Sequence, residues 1–71
     1  MDKWEAVRRV DSLSLGELRH FVQIWDNEIS MYRFVIRNYN EEKMRKFGSP
    51  HLAKLVGARD LLVSRLSSEV E

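Results

Sequence analysis

Seventy-one residues allow one domain, and a chain this short buries only about 60% of the surface its unfolded form exposes, so its core is thin. Hydrophobic residues make up 44% and charged residues 32%, with a net charge of +1, which excludes an intrinsically disordered chain. No apolar run approaches the ~20 residues a bilayer requires. The absence of Cys removes disulfides, thiolate metal sites and thiol nucleophiles together. With no signal peptide at the start, the expectation is a soluble, intracellular protein of the cytoplasm with no membrane partner.

Trp4, Val7 and Val10 recur every three residues beside Ala6, which predicts a short amphipathic helix over about 2–10 with Asp2 near its N-terminus. The chain breaks at Asp11-Ser12-Leu13. Ser14 followed by Glu17 is a capping box: the Ser side chain accepts from the third helical amide and the Glu reaches back to the cap amide. Leu13 and Leu18 flank it as a hydrophobic staple. A helix starts here.

Leu18, Val22, Trp25, Ile29, Tyr32, Ile36 and Tyr39 are then spaced alternately four and three, a heptad seam that requires a partner helix. Nothing breaks this helix before about residue 46, where Lys43, Arg45 and Lys46 suit a C-terminal dipole. Phe47-Gly48 forms a plausible stop, and Ser49-Pro50 a restart with Pro at the first helical position. The third helix, about 50–69, carries Leu52, Leu55, Val56, Leu62, Val63, Leu66 and Val70 as one stripe. The expected fold is therefore all-α: a long antiparallel hairpin (helices 15–46 and 50–69) preceded by a short helix.

Beside the seam, Phe21, Ile24, Met31 and Val35 form a second stripe. Together the two stripes span about half the helix circumference, more than the ~100° that one core needs. Either the flanking helices bury both stripes, or a second chain covers the excess. The latter leads to a homodimeric helical bundle, with Phe21, Ile24, Met31 and Val35 as interface.

Charge is polarised although the total is nearly neutral. Residues 29–59 hold seven cations against two acids, a net of +5, and the remainder carries −4. In a hairpin turning near residue 48, Arg33, Arg37, Lys43, Arg45, Lys46 and Lys54 gather at one end, where they could contact nucleic acid or an acidic partner.

Catalytic and metal motifs are weak. Glu17-x-x-His20 has the ligand spacing of di-metal bundles, but those sites need two such pairs and two further Glu. His51 sits beside Pro50, and the Ser residues lie in no nucleophile motif. Arg59 interrupts the last apolar stripe and could pair with Glu42, lie on Tyr39 or reach to solvent.

Two family resemblances overlap. Leu13-Ser14, Glu17-Leu18, Glu28-Ile29 and Tyr32-Arg33-Phe34 resemble the first helix of the L-twenty-nine family of large-subunit ribosomal proteins, two-helix hairpins often with a Pro opening the second helix. That implies rRNA binding, with Arg33 at the family's helix arginine. Leu18-Arg19, Asp26, Glu28-Ile29, Gly48-Ser49-Pro50 and Arg59-Asp60 are similar to landmarks of the all-helical chorismate mutases. Arg19 and Arg59 would then bind carboxylates beside Asp60, although Ile36 and Phe47 replace two further basic residues of that pattern.

The expectation is a non-enzymatic helical protein-protein interaction module with no cofactor and no metal. Its partner would be a second copy or another helical protein. The alternative is an RNA- or DNA-binding hairpin, of ribosomal-protein or double-stranded-RNA-binding type, and the third reading is a degenerate chorismate-mutase-like protein.

Overall fold

The computed structural model describes residues 1–38 and 41–70, and within them the side chains of all but 41–47, 49 and 70. All regular structure among the described residues is helical. Helix α1 spans Lys3–Arg8, a 3-10 turn follows at Val10–Ser12, α2 spans Leu15–Asn38 and α3 spans Glu41–Val70. Among the described residues no helix is long and apolar enough to cross a membrane.

Local signals set the first two starts. Asp2 caps α1, its carboxylate accepting from the Glu5 amide at 2.8 Å. At the start of α2 the capping box is complete. The Glu17 amide donates to Ser14 Oγ at 3.2 Å, and the Ser14 amide donates to Glu17 Oε1 at 3.0 Å. Leu13 and Leu18 are both buried in the core, as a hydrophobic staple requires.

The hairpin differs from expectation in where it reverses. The long helix ends at Asn38 rather than near 46, and α3 starts at Glu41 and runs through Gly48, Ser49 and Pro50 without a break. The expected stop and restart at 47–50 is therefore helix interior, and α2 and α3 are joined through residues 39–40, which lie outside the described residues. Pro50 there forfeits a helical hydrogen bond and strains the preceding turn, a cost of about 3 kcal/mol.

Packing supplies the reason. Tyr32 meets His51 with ring centroids 4.9 Å apart, and Arg59 meets Asp26 at 3.5 Å, so α2 and α3 run antiparallel with Trp25 beside the middle of α3. A reversal at 48 would set Leu66 against roughly residue 30 and leave Trp25 facing the end of the chain. In the observed register Leu18, Trp25, Ile29, Leu55 and Leu62 are all buried together. Each such side chain contributes about 1.5–3 kcal/mol. Several of them outweigh one misplaced proline.

The core contains Ala6, Leu13, Leu18, Phe21, Trp25, Ile29, Leu55, Ala58 and Leu62. Helix α1 covers one side of the hairpin near its open end. Trp4 stands edge-on to Trp25 at 4.7 Å, and Lys3 lies 5.7 Å over the Trp25 ring while pairing with Glu28 at 2.9 Å. Six residues of helix reach no further along α2, so the half of the hairpin nearer the reversal has no third helix over it.

Two outcomes follow. Ser14→Ala should cost about 1 kcal/mol in urea unfolding, the usual value of a lost N-cap. Pro50→Ala should stabilise the chain by about 1–2 kcal/mol, because the regained hydrogen bond exceeds the entropy returned to the unfolded state. The hydrodynamic radius should not change, since residue 50 is not the turn; conversion to an extended rod would show the opposite.

Candidate functional site

Helix α2 has two faces of different origin. At 100° per residue, its inner face is Leu18, Trp25 and Ile29, which are buried, with Val22 and Tyr32 half-buried against the same core. Ile36 continues that line and is half-buried. On the opposite side lie Asn27, Met31, Phe34 and Asn38, spaced four, three and four, and all four are exposed. Met31 and Phe34 are each 68% exposed, the most open of the exposed large hydrophobics among the described residues.

This arrangement divides the second apolar stripe. Phe21, expected at an interface, is 7% exposed and belongs to the chain's own core. Ile24 is half-buried and packs on that core, so it too is largely spent within the chain. α1 and α3 cover these two. Val35 is half-buried, and Met31 stands open. Phe34, which lies nine residues and so half a helix circumference from Trp25, was not among the expected interface residues. The available signal was a large aromatic directly opposite the seam.

The basic residues are only partly gathered. Arg33 and Arg37 are exposed one turn apart on α2, next to Phe34. Neither is ion-paired with another described side chain. Lys54 is exposed on α3, two residues from Val56 and so about 160° around the helix from the side that faces Arg33. The hairpin therefore does not join Lys54 to the two arginines. The side chains of Lys43, Arg45 and Lys46 lie outside the described residues.

Arg33 does line a cleft of about 130 Å3 between α2 and α3, with Asp26, Ile29, Ser30, Val56 and Arg59. Arg59 is its centre. Its guanidinium reaches Asp60 at 3.0 Å and Asp26 at 3.5 Å, while Nε is buried without a hydrogen-bond partner. Of the partners expected for Arg59, Glu42 and Tyr39 lie outside the described side chains; Asp26 and Asp60 hold it instead. A second hollow of about 240 Å3 lies between the 3-10 turn and α3, beside Asp11 and Arg65. Both are smaller than usual small-molecule pockets.

The remaining polar candidates have local roles. Glu17 is engaged in the capping box, and His20 stands edge-on to Phe21 at 5.3 Å. No cluster of metal-ligating side chains occurs among the described residues. His51 is exposed and tilted onto Tyr32. The Glu17 carboxyl is held below its ordinary value by hydrogen bonding to the Ser14 amide and hydroxyl, and Asp2 likewise by the Glu5 amide.

Comparison with protein-family models, curated proteins and solved structures finds no match. The two resemblances thus rest on the residues quoted for them, and the structure removes a landmark from each. Gly48-Ser49-Pro50 is not a turn, and Pro50 does not open the second helix. Arg59 is already engaged by two carboxylates, and Arg19 is exposed on α2 seven residues from Asp26.

Two measurements test these assignments. Both capping carboxylates have lowered folded pKa values, so their stabilisation is complete above the ordinary carboxylate values and is lost as pH falls through the folded ones. Helicity should hold above about pH 4.5 and decline below it. Asp2→Asn with Glu17→Gln should flatten that decline. Arg59→Met should leave stability within about 1 kcal/mol of wild type, since partly exposed ion pairs contribute little and the orphaned Nε is removed. A loss of several kcal/mol would show that the Asp26–Arg59–Asp60 set holds the hairpin together.

Proposed function

We propose that this chain is a helical protein-protein interaction module that self-associates through the outer face of α2. One observation carries the proposal: Met31 and Phe34, one turn apart on one helix, are each 68% exposed in a chain whose other α2 apolar residues are at least half-buried, apart from Leu15 in the first turn. Isolated exposed hydrophobics are ordinary. Two large ones adjacent on a helix, with Val35 half-buried beside them, form a patch, and such patches mark contact surfaces.

The magnitude sets what kind of contact this is. Full burial of Met or Phe gains about 1.5–3 kcal/mol, so four such side chains, already one-third covered, gain on the order of 4–8 kcal/mol in a dimer. Association itself costs about 4–15 kcal/mol, so the flanking contacts must supply the surplus. The expected complex is weak and reversible.

A second reading has its own observation. Phe34 has the exposed cations Arg33 and Arg37 as neighbours, which is the arrangement of a base-stacking aromatic beside phosphate contacts. Salt separates the two, because phosphate binding loses a log-log slope of about 0.7 per contact on single strands and an apolar interface does not.

Solution mass should rise with concentration towards two chains by high micromolar. Met31→Glu with Phe34→Glu should hold it at one chain with unchanged helicity, since neither side chain enters the core. Ile24 is left intact because it does. A wild-type mass of one chain throughout would remove self-association. Oligonucleotide binding at ~50 mM salt that is lost in Arg33→Glu with Arg37→Glu would establish the second reading instead.

A further inference from the structure

We infer that the occupant of the outer α2 face is the same face of a second copy, running antiparallel, with Met31 against Phe34 of the partner subunit. The inference rests on the self-association proposed above and adds its geometry. Asn27, Met31, Phe34 and Asn38 are exposed at the four-three-four spacing of a helix-pairing seam. A two-fold dimer is isologous, so whatever one residue meets, its counterpart meets in return.

In an antiparallel pair of α2 helices centred between residues 32 and 33, three matches fall in one register. Met31 of each copy lies opposite Phe34 of the other, so the two open apolar residues cover each other. Asn27 of each lies opposite Asn38 of the other. The Asn38 amide nitrogen already donates to the Phe34 carbonyl at 2.8 Å, which leaves its oxygen to accept from the facing Asn27. Paired Asn within an apolar seam fixes register at some cost in affinity. On the flank, Arg37 falls between Ser30 and Asp26 of the other copy, and Asp26 is half-exposed beyond its contact with Arg59.

Charge decides direction. A parallel in-register pair would turn this flank towards the opposite flank of the other copy, setting Asp26 beside the partner's Glu28, like against like, and Arg37 beside the partner's Val35 with no acceptor. The antiparallel pair sets cation against anion and hydroxyl. It also opposes the two helix dipoles, which a parallel pair would align.

Because the chain has no cysteine, introduced thiols report the pairing directly. Asn27→Cys and Asn38→Cys change exposed residues and keep Met31 and Phe34. In the antiparallel register the two positions face each other, while each lies about 16 Å along the axis from its own copy, at ~1.5 Å per residue. Disulfides need Cα atoms within about 7 Å. Under mild oxidation an equimolar mixture of the two variants should form the mixed disulfide about tenfold faster than the exposed control Ser68→Cys, because pairing raises the local thiol concentration. Neither variant alone should exceed that control.

Bridging by each variant alone, but not by the mixture, would mean a parallel pair and overturn the inference. Bridging at the control rate in every case, in a protein whose mass is still that of two chains, would overturn this register while self-association stood. A single-chain mass at every concentration would overturn both.

Discussion

Burial of Trp25 between α1 and α3 is the constraint on which the rest of the structure depends. It is wholly buried, it lies at the middle of α2, and it can be covered from both sides only if α3 returns far enough along α2. That fixes the register of α3 on α2, with Asp26 paired to Arg59 and Tyr32 against His51. It also places Pro50 inside α3, because a register that covers Trp25 leaves no other position for it. The indole N–H has no hydrogen-bond partner, a penalty of about 1–3 kcal/mol accepted for the apolar area of the ring.

From that centre the uneven cover of the molecule follows. Six residues of α1 close the side of the hairpin around Trp25, through Trp4 and Lys3, and stop. Toward the reversal only two helices remain, and α2 turns its back to solvent. A helix packed against one partner buries a stripe of ~100°. Phe21 escapes exposure because it lies on the flank of α2 that joins the core; Met31 and Phe34 do not, because they lie on the opposite face.

The sequence made some of this legible and hid the rest for identifiable reasons. Ser14 and Glu17 form a capping box because both partners lie within four residues, and no distant contact can alter that geometry. The inner seam through Leu18, Trp25 and Ile29 was equally readable, since periodicity records which face is apolar. The reversal was not. Gly48-Ser49-Pro50 is a strong local break signal, worth about 3 kcal/mol at the proline, but the α2–α3 register is a sum over several buried side chains and is larger. Periodicity likewise identified an apolar surplus on α2 but could not apportion it. That Phe21 and Ile24 are drawn into the core while Met31 stands open depends on how the other helices pack against α2, which is a tertiary fact.

Two residues break the pattern of apolar inside and polar outside, and they differ in how the chain answers them. Arg59 sits in the inner stripe of α3, yet Asp26 and Asp60 hold its guanidinium and its stem lies beside Val56, so the fold accounts for it. Phe34 sits on the outer face of α2, and no described aromatic or core residue packs on its ring. Sequences that specify one structure violate their own pattern chiefly at functional sites. An inconsistency resolved within the chain needs no outside partner, and Arg59 is of that kind. One left unresolved points outward. By that reasoning the back of α2, at Phe34 and Met31, is the face proposed for self-association, whereas the charged cleft around Arg59 is satisfied within the chain.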